Sequence, residues 1–147
     1  MKRRALIGLA AGAALARPAL AQEADVLAAA VAAYAHGAPV KPGKVKLQMD
    51  QLVDNGNVVP FSVSVDSPMT ASDHVTAIAI FNERNPQREV AKFTLGPRSG
   101  KALVSTRIRL ATSQKLTAVA RLSDGSYWSD TVSVVVALAA CIEGDVP

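Results

Sequence analysis

Residues 116–138 read LTAVARLSDGSYWSDTVSVVVAL, and this stretch does most to decide the fold. Two runs rich in apolar and β-branched residues, Leu116–Leu122 and Tyr127–Leu138, flank the pair Asp124-Gly125. An Asp-Gly pair between two such runs favours a two-residue hairpin turn, because that turn needs positive φ angles. The stretch therefore predicts two antiparallel strands joined by a tight turn.

Short strand-like runs also occur upstream of the hairpin. Val45, Leu47 and Met49 alternate with polar residues, which is the period of a half-buried strand. Further segments are predicted at 57–65, 75–81, 90–95 and 101–110, and turn-forming residues separate them. About seven strands at this spacing are typical of an all-β protein, an antiparallel β-sandwich.

An alanine-rich stretch, 24–35, precedes the strands. It has apolar residues at helical spacing, and Gly37 follows as a stop signal. The spacing is carried by Leu27, Ala30, Val31 and Tyr34. The sequence therefore predicts a short amino-terminal helix attached to the sandwich.

The first 21 residues have the features of an export signal. Positively charged residues 2–4 precede an apolar stretch, and Ala19-Leu20-Ala21 fits a small-x-small cleavage site. The apolar stretch of about 12 residues is shorter than the roughly 20 that a membrane span needs. We expect residues 1–21 to be removed, leaving no membrane segment, with Arg3-Arg4 favouring the twin-arginine route over the general secretory route.

Removal of this segment changes the charge of the chain. Four of the 16 Lys and Arg residues lie within it and none of the 12 Asp and Glu residues does, so the exported chain would have 12 of each. A formal net charge of zero gives no reason to expect binding to nucleic acid or anionic lipid. What remains suits one domain, which we assign to 22–138, followed by a carboxyl-terminal arm, 139–147.

The chain contains one cysteine, Cys141, which follows the last predicted strand. A lone cysteine in an exported protein points to an intermolecular bond or a reactive thiol. His36 and His74 stand at no metal-ligand spacing, so no metal site is predicted. Asp73, His74 and Cys141 would form the alternative, a cysteine-hydrolase set. Such a nucleophile must be held rigidly beside its base, and a terminal arm does not hold a side chain in this way. We therefore predict no catalytic residues.

The strand predicted over 101–110 carries two arginines with a clear pattern. Arg107 and Arg109 share one face, while Thr106, Ile108 and Leu110 share the other. The arginine face is either a solvated sheet surface or a contact for an acidic partner or an anion. The sequence leaves both interpretations open.

Several blocks of the sequence, taken in order, carry a family resemblance. They are Asn55-Gly56-Asn57 with Val59-Pro60, the block from Ser64 to Thr70, Asp73-His74-Val75, the block from Ser105 to Leu110, and Ser123-Asp124-Gly125. Together they resemble SoxY, the sulfur-carrier subunit of the SoxYZ complex of bacterial thiosulfate oxidation. The resemblance implies an immunoglobulin-like sandwich, a periplasmic heterodimer with a SoxZ-like subunit, and periplasmic sulfur-oxidation enzymes as clients.

The arm departs from the family pattern. SoxY ends in Gly-Gly-Cys-Gly-Gly, whereas the matching segment here is Ala139-Ala140-Cys141-Ile142-Glu143, which resembles the SoxY-related group with an AACIE arm. The resemblance implies that Cys141 carries a covalent sulfur adduct, that no other cofactor is needed, and that any anion bound by Arg107 and Arg109 is a sulfur oxyanion. Alanine and isoleucine restrict the backbone more than glycine, so we expect a stiffer arm. The alternative is a structural or partner-binding periplasmic sandwich in which Cys141 is dispensable.

Overall fold

A computed structural model describes residues 25–138. The predicted signal segment, 1–21, and the predicted arm, 139–147, with Cys141, lie outside the described residues. The helix is α1 (Val26–Tyr34), and the strands are β1 (Val40–Pro42), β2 (Val45–Gln48), β3 (Leu52–Asn55), β4 (Val59–Val65), β5 (Val75–Asn82), β6 (Glu89–Thr94), β7 (Leu103–Ile108), β8 (Gln114–Leu122) and β9 (Tyr127–Leu138). No helix among residues 25–138 is long and apolar enough to cross a membrane.

The strands form two sheets that pack face to face. The larger sheet has the order β1-β9-β8-β5-β6, with β3 also paired to β9, and the smaller sheet has the order β2-β4-β7. Alternate residues of both sheets point into a shared core, where Val63, Ile78, Ile80 and Leu116 are fully buried. The immunoglobulin-like β-sandwich expected from the sequence is therefore confirmed.

Two short strands extend the predicted set from about seven to nine. β1 and β3 pair in parallel with the two halves of β9, opposite Tyr127–Ser129 and Val135–Leu138. β1 ends in Pro42 and β3 ends in Asp54-Asn55, which are residues typical of turns. Proline is accepted in an edge strand because its missing N–H can face away from the ladder. The larger sheet is therefore mixed at this edge and antiparallel elsewhere.

Helix α1 covers the outer face of the larger sheet. The Asp25 carboxylate caps it by accepting the N–H of Ala28 at 3.0 Å. Leu27 is buried in a second apolar cluster with residues of β5, β8 and β9. The Tyr34 ring lies 5.4 Å from that of Phe81 and 5.9 Å from that of Tyr127. The predicted helix is thus confirmed.

β8 and β9 form the predicted antiparallel hairpin, but its loop is not the two-residue turn expected from Asp124-Gly125. Residues 123–126 lie between the strands, and the Gly125 N–H donates to the Leu122 carbonyl at 3.0 Å. The two-residue turn needs positive φ angles at both Asp124 and Gly125, and of these two only Gly125 has one. Gly125 has a φ of 84°, and the Asp124 carboxylate accepts the N–H of Ser126 at 2.8 Å. We call this end of the sandwich the hairpin end, and the opposite end, where β9 finishes at Leu138, the arm end.

Candidate functional site at the root of the arm

The end of β9 is held by the rest of the sandwich up to its last described residue. Asn55 lies opposite Leu138 in the parallel pairing with β3, and the Gly56 N–H donates to the Leu138 carbonyl at 2.8 Å. Cys141 follows three residues later, so its Cα lies at most about 11 Å from that of Leu138.

The turn between β3 and β4 ties three parts of the chain together. The Asn55 side-chain oxygen accepts the Asn57 N–H at 2.9 Å, which closes the turn. Besides the bond from its N–H to Leu138, Gly56 accepts the Leu110 N–H through its carbonyl at 2.8 Å. The end of β9 is therefore linked through one residue to the end of β7.

A second set of hydrogen bonds fixes the segment between β7 and β8 at the same end. The Asn85 side-chain oxygen accepts the Ala111 N–H at 2.9 Å and the Gln114 amide at 2.7 Å. The Asn85 amide donates to the Arg109 carbonyl at 2.7 Å. Ser113 in turn accepts the N–H of Val136, in β9, at 2.8 Å. These contacts hold the surroundings of the arm in one arrangement.

Four large apolar residues on β3, on β9 and just before β4 are exposed. The exposed fractions of Leu52, Val58, Val135 and Leu138 are 68%, 58%, 56% and 67%. Leu52 and Val135 lie opposite each other in the β3–β9 pairing. We call these four residues the root patch. Of these, Leu52 and Val135 are shown to be neighbours, and exposed apolar side chains of this size are candidate contacts for another molecule.

Arg107 and Arg109 lie at the arm end, on the smaller sheet. Arg107 pairs with Pro60 of β4, and Arg109 directly follows β7. Both arginines are exposed whereas Ile108 and Leu110 are buried, as their alternation predicted. Thr106, which shares its side of β7 with the buried Ile108, is nevertheless exposed.

The cysteine-hydrolase alternative fails on distance. His74 lies at the hairpin end, where its N–H donates to the Ser123 hydroxyl at 3.1 Å and its Nδ1 lies 3.0 Å from the Thr70 carbonyl. β9 has 12 residues and starts beside this end, so it separates His74 from Leu138 by about 36 Å. The thiol of Cys141, tethered within about 11 Å of Leu138, cannot reach His74.

Within residues 25–138 no three His, Cys, Asp or Glu side chains are grouped so that they could hold a metal ion.

Sequence patterns did not reveal Asn85, Ser113 or the root patch. The Asn85-Pro86 pair is a turn signal, and this signal does not say which distant groups the side chain will contact. Leu52 belongs to a strand that forms only on the edge of β9, so its exposure depends on the tertiary structure. The block Asn55-Gly56-Asn57 carries part of the family resemblance, and its Gly56 binds Leu138 at the root of the arm.

The fold is similar to several solved structures. The structure of the sulfur carrier protein SoxY from Chlorobium limicola f. thiosulfatophilum has 29% sequence identity and a TM-score of 0.62, over 75% of this chain and 94% of that one. A superoxide reductase from Ignicoccus hospitalis has 18% identity and a TM-score of 0.57 (64% and 80% covered), and one from Nanoarchaeum equitans has 11% and 0.55 (65% and 100%). At these identities the two reductases share the fold alone. Among curated proteins none matches.

Sequence comparison with protein families is more specific than the shared fold. The family model of the sulfur oxidation protein SoxY matches residues 30–141, a span that includes Cys141. This chain belongs to the SoxY family.

Proposed function

We propose that this protein is a periplasmic carrier that holds sulfur intermediates covalently on Cys141 during the oxidation of thiosulfate or a related sulfur compound. One observation carries the proposal: the SoxY family match extends to Cys141, the one cysteine of the chain. The root of the arm supports it. β9 ends three residues before the thiol, and exposed apolar side chains lie on β9 and on the adjoining β3.

The arrangement suits carriage, with catalysis left to client enzymes. Joining the Cys141 sulfur to the sulfane sulfur of thiosulfate releases one proton and two electrons, so loading requires an oxidising client. Glu143 lies two residues from Cys141, and a nearby carboxylate disfavours the thiolate. A cationic pocket on the client would reverse this effect, so the thiol would become reactive only where it is used.

Clients would dock at the root patch. The tether of about 11 Å keeps the thiol near Leu138, so a client that receives it must also approach Leu52 and Val135. Both side chains are more than half exposed and can be covered without a change in the fold.

A SoxZ-like subunit would cover the open side of the sandwich. Within the described residues, β6 and β7 each pair on one side only, and they end the two sheets. Phe93 and Val104, on these strands, are half-buried against the core. Open strand edges invite unwanted pairing, so a partner that covers them would stabilise the soluble protein. Co-expression with such a subunit should give a 1:1 complex, and a soluble monomer that ignores it would contradict this part of the proposal.

The location rests on residues 1–21. We expect periplasmic protein to begin at Gln22, which amino-terminal sequencing would show. Changing Arg3 and Arg4 to Lys should block export by the twin-arginine route, and normal export of this variant would instead indicate the general secretory route.

The carrier function is tested by Cys141→Ala. The variant should keep its free energy of unfolding within about 0.5 kcal/mol, as expected for a change outside the packed core. Intact-mass analysis of protein isolated from sulfur-oxidising cells should show adducts on the native chain and none on the variant. Native protein without adducts, or a variant that still supports thiosulfate oxidation, would favour the structural alternative.

A further inference from the structure

A shallow groove, wide open to solvent and of about 670 Å³, lies on the outer face of the smaller sheet, and the carrier function gives it no role. It is lined by Gln48, Pro60, Phe61, Ser62, Ser105, Thr106 and Arg107. β2, β4 and β7 contain two cations, Lys46 and Arg107, and no Asp or Glu. Arg109 follows at the end of β7. The face is therefore positively charged and has no carboxylate on its strands.

The strand register makes this groove suitable for an extended peptide. Ser62 lies between Gln48 of β2 and Ser105 of β7, and Pro60 lies beside Arg107. The small serine side chains keep the floor of the groove low, and their hydroxyls can bind carboxylate or carbonyl oxygens. The arginine offers several donors to a carboxylate.

The arginine end of the groove lies next to the root of the arm. The Leu110 N–H binds the Gly56 carbonyl, and the Gly56 N–H binds the Leu138 carbonyl, so two hydrogen bonds connect the segment after β7 to the end of β9. After Leu138 the chain contains two carboxylates, Glu143 and Asp145, and no Lys or Arg. Five and seven residues of extended chain span up to about 18 and 25 Å, which suffices to bring both carboxylates to the groove.

We propose that this groove binds the chain's own acidic segment, 142–147, with Glu143 and Asp145 facing Arg107 and Arg109. Ion pairs between exposed groups are weak and are screened by salt, so the segment would dissociate readily when a client engages the arm. The proposal rests on charge and geometry and does not require any sulfur chemistry on Cys141.

The single cysteine allows a direct test on the mature full-length chain. A nitroxide spin label on Cys141 should weaken the backbone amide NMR signals of Ser62, Ser105 and Arg107 at low salt, relative to the same sample with the nitroxide reduced. The amides of Ser123 and Gly125, at the hairpin end, should keep their intensity. In 1 M NaCl, where the Debye length is about 3 Å, the loss at the groove should disappear.

Charge-neutral variants identify the contact. Glu143→Gln with Asp145→Asn, or Arg107→Gln with Arg109→Gln, should each abolish the signal loss at the groove. The matched control, Lys101→Gln with Lys115→Gln, removes two exposed cations elsewhere and should leave it unchanged.

Three results would overturn the proposal. Signal loss confined to residues 55–58 would show that the arm stays at its root. Equal loss in the charge-neutral variants would show that the carboxylates do not hold it. Loss seen only when spin-labelled chains are mixed with separate isotope-labelled chains would assign the groove to a second copy. None of these results bears on the intact-mass measurement of sulfur adducts on Cys141. Failure of the groove proposal is therefore distinct from failure of the carrier function.

Discussion

Asn85 should be the residue whose side chain contributes most to the rigidity of the arm end. It accepts hydrogen bonds from the Ala111 N–H and the Gln114 amide and donates one to the Arg109 carbonyl. These three bonds connect the segment after β5 to the segment after β7, which reaches Leu138 through Gly56. Asn85→Ala removes all three at once.

The size of the stability loss in Asn85→Ala follows from the donors and acceptors that lose their partner. A hydrogen bond contributes about 1 kcal/mol net, and a buried donor left without a partner costs about 1–3 kcal/mol. Gln114 is only 5% exposed, but its amide keeps a second bond to the Thr112 carbonyl at 3.0 Å. Ala111 has no such second bond within residues 25–138. We therefore expect Asn85→Ala to lower the free energy of unfolding by about 2–4 kcal/mol, a large share of the 5–15 kcal/mol typical of a domain.

Urea unfolding measures this effect, with two variants for comparison. Asn85→Asp retains both acceptor contacts and loses the donor, so it should cost about 1 kcal/mol. Thr112→Ala changes an exposed residue of the same loop and should stay within about 0.5 kcal/mol. Asn85→Ala should also speed hydrogen exchange of the Leu110 amide, which binds Gly56. A loss below 0.5 kcal/mol with an unchanged m-value would show that water replaces the side chain, and the reasoning would fail.

Three further predictions concern other parts of the molecule. Leu52→Asp with Val135→Asp should slow sulfur transfer with a client enzyme by about tenfold, equivalent to ~1.4 kcal/mol. Ala71→Asp, at an exposed position of the loop between β4 and β5 near the hairpin end, should not slow it, and equal rates in all three proteins would exclude the root patch as a docking surface. Burial, and then the neighbouring Tyr127 and Glu89, raise the pKa of Tyr34 above its ordinary value of 10.0. The folded state therefore favours the neutral phenol, and the contribution to stability is fully present below pH 10. It is lost as the pH rises through the higher pKa of the folded state. Tyr34→Phe should remove that alkaline loss in urea titrations, and an identical pH profile for both proteins would refute the assignment. Gly125→Ala should lower the free energy of unfolding by about 1–2 kcal/mol, because the new Cβ meets no other atom but the backbone is held at a φ of 84°, which strains an alanine. Gly96→Ala, at a φ of −144°, should change this free energy by less than about 0.5 kcal/mol. Similar Tm values for the two variants would show that turn strain is not the cause.

The elements predicted from the sequence are those whose signals are local. The β8–β9 hairpin and the alternation of buried and exposed residues in β2 and from Arg107 to Leu110 depend on neighbouring residues, and they are confirmed. The hairpin loop itself is longer than the predicted two-residue turn. β1 and β3 have only three and four residues, and they form because β9 offers them an edge. Strands this short show no clear alternation of apolar and polar residues, so the sequence did not predict them.

The candidate site was harder to predict because its contacts join distant parts of the chain. Asn85 binds groups 24 to 29 residues away, and Ser113 binds Val136 across 23 residues. Such partners follow from the strand order and not from composition. The faces of Arg107 and Arg109 were predictable because side chains in a strand alternate, whereas their position beside Leu138 required the β3–β4 turn.

The length of the tether decides how a client could recognise this protein. β9 is the longest strand and pairs with β1, β3 and β8, so its carboxyl end is a rigid base. With three residues from Leu138 to Cys141, the thiol cannot travel far from that base. If Cys141 carries sulfur as proposed, a client must contact the root patch in the same encounter in which it receives the thiol. Selection among clients then depends on the shape and apolar character of Leu52, Val58 and Val135, which differ from the arm in being fixed by the fold.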